Sequence, residues 1–255
     1  MDWMVAVRME VTAYPQGYLF VTPVKQLSEV WQTLPWHKLQ RNVFRLQKRI
    51  YQAKRRNDVR TVRNLQRRLL RSWSARLLAV RQVSQDNRGK RTAGVDGVAS
   101  LTPPQRLAYA YRLRRDLDQA ADPVRRTYLP KPSGQLRLLG IPTMFDRARQ
   151  ALVKQALEPE WEAIFEPNSY GFRPGRSPHD AIEAIFNHIR LKPKFVLDAD
   201  LEKCFDKIDH QALLSKLSAI PPIAKLVRSW LKAEGEWNLV CIGYNLKRLH
   251  TLLLA

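Results

Sequence analysis

From Trp36 onward the chain repeats apolar residues in alternating steps of three and four: Leu39, Val43, Leu46, Ile50 and Ala53. That spacing gathers them on one face of a helix with about 3.6 residues per turn. Asn57 and Asp58 interrupt the pattern, and Val62, Leu65, Leu69, Trp73, Leu77 and Val80 resume it as a second stripe. Two amphipathic helices joined by so short a break bury their stripes most readily by folding back on one another, so residues 36–83 read as an antiparallel helical hairpin.

The remaining surface of that hairpin is basic. It carries Arg41, Arg45, Lys48, Arg49, Lys54, Arg55, Arg56, Arg60, Arg63, Arg67, Arg68, Arg71, Arg76 and Arg81, and between Leu39 and Gln85 the one opposing acid is Asp58. A merely solvated face intersperses Glu with Lys and Arg, which gains pairing and relieves repulsion. An unopposed run reads instead as a phosphate-gripping surface, with Arg60, Arg63, Arg67 and Arg71 as its candidate RNA-binding row. Arginine's fork takes two oxygens of one phosphate, which lysine cannot do. The whole chain agrees: 44 basic residues against 23 acidic ones leave a net charge of +21, which calls for a polyanionic partner. A membrane surface is the competing polyanion. No apolar run approaches the roughly 20 residues needed to cross a bilayer, and no charged start with an apolar stretch marks a secretion signal, so the expected place is the cytoplasm. Cys204 and Cys241, with no CxxC pair, read as packing residues rather than as a disulfide or a zinc site.

Residues 1–35 carry Pro15, Gly17, Pro23 and Pro35 without sustained periodicity and read as a poorly ordered leader. Residues 86–100 are turn-rich, hence a loop; Pro103 and Pro104 then open a helix running to about residue 121. Two short extended runs flank Lys131-Pro132-Ser133-Gly134, a β-hairpin signal, and Pro130, Pro132 and Pro142 confine the hairpin to an edge. A long helix is expected from Asp146 to about Phe165, with Ala148, Leu152, Ala156 and Leu157 inward and Pro159 a point of restart. Ser177-Pro178-His179-Asp180 combines a cap, a first-turn proline and a carboxylate three residues after the cap. The helix it starts should bury Ala181, Ile182, Ile185, Phe186 and Ile189 and expose His179. Residues 194–200 read as a strand, followed by helices from near Asp209, with Ala212, Leu213 and Leu217 inward, and over 223–233.

Alternation along 194–200 sets Asp198 and Asp200 on the side opposite Phe195, Leu197 and Ala199. Two such carboxylates serve as metal ligands, as a helix cap or as ion-pair partners, and spacing alone leaves all three open. The continuation through Phe205 and Asp206 completes FVLDADLEKCFDKIDH. That string resembles the first catalytic motif of reverse transcriptases, specifically those of group II introns and related bacterial retroelements. Three further strings agree with it in order: LLAVRQVSQDNRGKRTAGVDG, RRTYLPKPSGQLRLLGIPTMFDRARQALVKQALEPEWEAIFEPNSYGFRPGRS and DAIEAIF. The resemblance covers residues 25–234.

The resemblance implies an α+β fold: a basic helical N-terminal domain over 36–100, then partial fingers and palm of a right-hand polymerase over 101–234 with an incomplete sheet. It implies that Asp200 is the catalytic carboxylate bridging two Mg²⁺ ions, with Leu201 offering a backbone carbonyl. Phe205 is then the bulky residue beneath the incoming sugar that selects deoxynucleotides. Lys131 and Arg137, on the two arms of the hairpin, reach the triphosphate. Tyr170, Phe172, Arg173 and Arg176 lie in a loop near the template RNA. Asp206 and Asp209 read as helix-starting residues. The implied partners are RNA, as intron or template, together with a DNA primer and a deoxynucleoside triphosphate.

The chain also departs from the family. Two-metal phosphoryl transfer draws carboxylates from more than one segment, and the family supplies the second from a Tyr-Ala-Asp-Asp hairpin. Past Asp209 there is no aspartate, and the acids are Glu234 and Glu236. The Pro-Gln-Gly loop is missing as well, and residues 235–255 diverge from the pattern as a truncation or a frameshift does. The expectation is therefore the N-terminal part of an RNA-directed DNA polymerase of the maturase kind, inactive by itself, with an uncovered apolar face. The alternatives are a non-catalytic RNA-binding module or splicing cofactor, and the product of a decayed gene.

Overall fold

The structure is a computed structural model that describes residues 24–130, 134, 136–192, 194–197, 199, 208–217 and 219–234, with backbone alone at 24–26, 137 and 234. Helix α1 spans Val24–Gln32, α2 Trp36–Arg55, α3 Val59–Arg71 and α4 Trp73–Arg81. A π-helical turn, Gln82–Asp86, and a 3-10 turn, Arg88–Arg91, lead to α5, Pro103–Arg115. Strands β1, Arg125–Pro130, and β2, Leu136–Ile141, pair antiparallel with Arg125 opposite Ile141 and Pro130 opposite Leu136. Helices α6, Met144–Glu162, α7, Pro178–Ile189, α8, His210–Leu217, and α9, Pro221–Glu234, follow. The fold is α+β, mostly helical with a two-stranded sheet among the described residues.

Order begins earlier than the sequence suggests, because α1 lies inside the stretch expected to be a leader. Trp31 is buried, meets the Trp36 ring edge-on at 5.0 Å and donates from Nε1 to Gln85 at 3.0 Å. One large aromatic with a satisfied N–H is enough to anchor a short helix that lacks long periodicity.

The hairpin stripes fall where their spacing puts them. Leu39, Val43, Ile50 and Ala53 are buried on α2, and Val62, Leu65 and Leu69 on α3, which pack together. Asp58 caps α3 by accepting from the Thr61 N–H at 3.0 Å, and the hydrogen bonds from Thr61 hold its carboxyl below its ordinary value. The expected second helix is in fact two. Ser72 is extended, and its Oγ accepts from the Ala75 N–H at 3.4 Å to cap α4. The break redirects the chain: α3 keeps an exposed basic face, whereas α4 buries Ser74, Ala75, Arg76, Leu77, Ala79 and Val80.

Helix α6 lies at the centre, packed against α2, α3, α4 and α5. Ala148, Leu152, Ala156 and Leu157 are buried as expected, and so are Asp146, Arg147, Arg149, Gln150 and Glu160. Pro159 is accommodated within the helix rather than restarting it. Charges on a helix enclosed this way must be paired, because an isolated buried ion is strongly unfavourable. At its N-terminal end Asp146 accepts from Arg149, from the Trp230 Nε1–H at 3.1 Å and from the Asp122 N–H at 2.9 Å. Arg149 also donates to the carbonyls of Gln119 at 2.7 Å and Ala120 at 3.1 Å, so this end ties down both α9 and the α5–β1 connection. At the C-terminal end Glu160 accepts from Arg63 and Gln66, each at 2.7 Å, and from Lys54 at 3.3 Å, which clamps α3 and α2. Arg147 donates to the carbonyls of Pro142, Gly89 and Thr92 and pins the loop after α4. That loop runs backbone to backbone with the start of α6: a Cβ on Gly94 would stand 2.7 Å from Thr143 Cα.

Two expectations fail together. Residues 194–197 and 199 form no strand, and Asp198 and Asp200 lie outside the described residues. A strand exists through its ladder, and among the described residues no chain pairs with this one. Helix α7, whose apolar stripe should be buried, exposes it: Ile182 at 63%, Ile185 at 60%, Phe186 at 58% and Ile189 at 47%. The helix forms nonetheless on local chemistry, since Asp180 accepts from the Ser177 N–H at 2.6 Å and returns its own N–H to Ser177 Oγ at 3.3 Å. His179 is exposed, as expected. Asp209 starts α8 by accepting from the N–H groups of Gln211 at 2.8 Å and Ala212 at 3.2 Å. Among the described residues no helix is long and apolar enough to cross a membrane.

Two measurements test this architecture. Glu160→Leu strands Lys54 and Arg63 beside a closed core and should lower unfolding free energy by about 3 kcal/mol in urea titrations; a neutral result would mean that the clamp contributes nothing. The Asp58 carboxyl titrates below the ordinary aspartate range when folded, so its cap is fully effective above that range and fades as pH falls through the depressed value. The gap in melting temperature between the wild type and Asp58→Ala should therefore be constant near neutrality and close in acid.

Candidate nucleic-acid interface

On α3, Arg60, Arg67 and Arg71 are exposed, and their spacings of seven and four residues return each to one face. Among the described residues no ion pair involves any of the three. On α2, Arg41, Arg45, Lys48, Arg49 and Arg55 are exposed too. The lone acid of the hairpin, Asp58, caps α3 within electrostatic reach of Arg56 and Arg60, so a single carboxylate stands against the whole basic face. Arg63, the fourth residue of the expected row, turns inward to Glu160 and does not join the others.

The loop after α6 separates its two arginines. Arg173 is buried, paired with Glu162 through Nε at 2.8 Å and through Nη2, and bonded through Nη1 to the carbonyls of Glu166 at 2.6 Å and Ser169 at 3.0 Å. All its donors are turned to shaping the loop, so it holds the loop's form rather than facing a template. Arg176 is partly exposed, donates to the Pro167 carbonyl at 2.8 Å and lies over the Tyr170 ring at 5.2 Å. Phe172 is exposed, with a left-handed φ of +58°. Tyr170 lines an open groove with Ile185, Ile189 and Phe195.

The residues expected to handle the nucleotide are placed only in part. Asp200, Leu201, Phe205 and Lys131 lie outside the described residues, and Arg137 is fixed by its backbone opposite Leu129 in the β-ladder. Among the described residues no three His, Cys, Asp or Glu side chains gather as a metal site would require.

Two features of this surface have no signal in the sequence. Glu160 removes Arg63 and Lys54 from the outer face, yet its partners lie far away along the chain, where periodicity cannot connect them. Arg76 falls on the basic side of the expected stripe but is buried at 7% exposure, because α4 is enclosed on every side after the turn at Ser72.

Comparison with known proteins places this geometry. Residues 31–113, which hold α2 to α4 and most of α5, match the family described as the N-terminal domain of reverse transcriptase, and residues 129–249 match reverse transcriptase (RNA-dependent DNA polymerase). The second match runs beyond Glu234 into the stretch expected to diverge. The chain is 37% identical over 141 residues to protein YkfC of Escherichia coli, covering 52% of this chain and 37% of that one. It is 31% identical over 221 residues to maturase-like protein 1 of Euglena gracilis, covering 85% and 46%. It is 34% identical over 152 residues to the group II intron-encoded protein LtrA of Lactococcus lactis, covering 58% and 25%. The chain thus spans less than half the length of each of these relatives. With both domains present in order, and with intron-encoded and maturase-like proteins among its relatives, this chain belongs to the reverse transcriptases of the group II intron kind.

Proposed function

We propose that this chain is the RNA-gripping part of an RNA-directed DNA polymerase and maturase that works on intron or template RNA in the cytoplasm. The observation that supports this most is the row Arg60, Arg67 and Arg71: unpaired cations on one face, within the residues that match the reverse transcriptase N-terminal domain. Arg176, stacked on Tyr170 and still partly exposed, adds a second contact, since an arginine on an aromatic ring is preorganised toward phosphate.

In the same reading Lys131 and Arg137 neutralise the triphosphate of an incoming deoxynucleotide, and Phe205 packs beneath its sugar. Mg²⁺ held by Asp200 and the Leu201 carbonyl would supply electrostatic activation of the DNA primer terminus. Two-metal transfer draws carboxylates from more than one segment, and past Asp209 the acids of these 255 residues are Glu234 and Glu236. The exposed α3 row also fits a second reading, an RNA-binding splicing cofactor without catalysis.

The RNA surface is tested by filter binding across a potassium chloride series. Exchanging Arg60, Arg67 and Arg71 together for Glu should weaken binding strongly and flatten the slope of log affinity on log salt by about 2, at about 0.7 per phosphate of single-stranded RNA. An unchanged slope would remove the row from the footprint. In primer extension on an RNA template with Mg²⁺, the 255 residues alone should bind the template and add no nucleotides. Processive synthesis that Asp200→Ala abolishes would show instead that the site is complete.

A further inference from the structure

Seven aromatic residues lie between Trp31 and Leu113, the stretch that matches the reverse transcriptase N-terminal domain. Five of them pack ring against ring: Trp31 with Trp36 at 5.0 Å, Trp73 with Tyr111 at 4.6 Å, and Tyr109 with Phe145 at 5.7 Å. The other two, Phe44 and Tyr51, stand on α2 at 64% and 38% exposure.

A single apolar residue on a surface is ordinary, so it is the register of these two that carries information. Arg41, Phe44, Lys48, Tyr51 and Arg55 follow one another in steps of three, four, three and four, which aligns cation, ring, cation, ring and cation along one stripe of α2. The stripe runs opposite the buried one of Leu39, Val43, Ile50 and Ala53, and all five of its residues are exposed. Among the described residues none of the five makes an ion pair, a side-chain hydrogen bond or a ring contact.

The alternation selects a partner by its chemistry. Phosphate answers the cations but offers a ring nothing, whereas the face of a base answers the ring. In a duplex those faces are covered by their neighbours, and unpaired bases are free to lie on aromatic side chains. Positions 44 and 51 are about 10 Å apart along the helix axis, at about 1.5 Å per residue, so bases on the two rings stand apart as those of a splayed single strand do. An apolar protein surface would meet the rings only by desolvating the three cations that flank them, which is unfavourable.

Building on the RNA-binding reading, we propose that this stripe of α2 is a stacking platform for unpaired RNA. Phe44 and Tyr51 each carry one base, and Arg41, Lys48 and Arg55 hold the phosphates on either side. The stripe ends at Arg55, five residues before Arg60, so it and the α3 row lie on the two sides of the hairpin turn.

The test uses the whole chain, an unstructured RNA oligonucleotide and the same strand made abasic, which keeps the phosphates and removes the base faces. Phe44→Leu with Tyr51→Leu deletes the rings while keeping apolar, helix-compatible side chains at exposed positions, and an unchanged melting temperature checks the fold. This double variant should bind the base-bearing strand about a hundredfold more weakly, at about tenfold per ring, bind the abasic strand as the wild type does, and keep the wild-type salt slope. Phe44→Trp with Tyr51→Trp should retain full affinity. Exchanging Arg41, Lys48 and Arg55 together for Gln should flatten the slope by about 2 on both strands. Wild-type affinity of the leucine variant for the base-bearing strand, with salt-sensitive binding intact, overturns the platform, assigns the rings to a protein contact and leaves the RNA reading standing. An equal loss on both strands likewise overturns stacking. Absence of salt-sensitive binding by the wild type overturns the RNA reading and the platform with it.

Discussion

Helix α6 is enclosed by four other helices yet carries Asp146, Arg147, Arg149 and Glu160, and the rest of the molecule is arranged around satisfying them. Each ion recruits partners from a different part of the chain: Glu160 from α2 and α3, Asp146 and Arg149 from α9 and the α5–β1 connection, Arg147 from the loop after α4. Hydrophobic burial drives these elements together without fixing their rotation, since apolar contact has no direction. The hydrogen-bonded charges supply that direction. With Arg63 held against Glu160, the roll of α3 is set, and Arg60, Arg67 and Arg71 are left facing outward.

This division means that the charge excess is a poor measure of the binding surface. Several arginines are structural: Arg147 and Arg149 organise the core, Arg173 builds a loop, Arg112 lies over Phe145 at 3.8 Å and Arg81 over Trp36 at 4.6 Å. A guanidinium is planar and weakly hydrated, and it tolerates such burial better than an ammonium does. The residue type that suits phosphate recognition therefore also serves as internal scaffold, and composition alone does not separate the two uses.

What was legible in the sequence follows the range of each interaction. The α2 and α3 stripes, the Ser177–Asp180 cap, the β1–β2 hairpin and the start of α8 at Asp209 all depend on residues a few positions apart, and spacing revealed them. The break at Ser72 is local too, but its serine cap was masked by an apolar pattern that runs on in register through it. The Glu160 clamp and the burial of Arg76 depend on packing between distant segments, which no periodicity encodes. The α7 stripe carried a true amphipathic pattern, but a pattern states only that a face is apolar and not what covers it. For the polymerase site the motif named Asp200, Phe205 and Lys131, which lie outside the described residues, so the interface rests on the helical region alone.

The turn at Ser72 also divides the chain by how freely it can drift in sequence. Before it, the outward positions of α3 meet only solvent, and exchanges there leave the core's geometry untouched. After it, nearly every side chain of α4 fills space between neighbours, so a change in volume at any turn must be absorbed by α2, α5 or α6. A lineage could thus retune which nucleic acid it grips by altering one stretch of chain while inheriting the next almost unchanged.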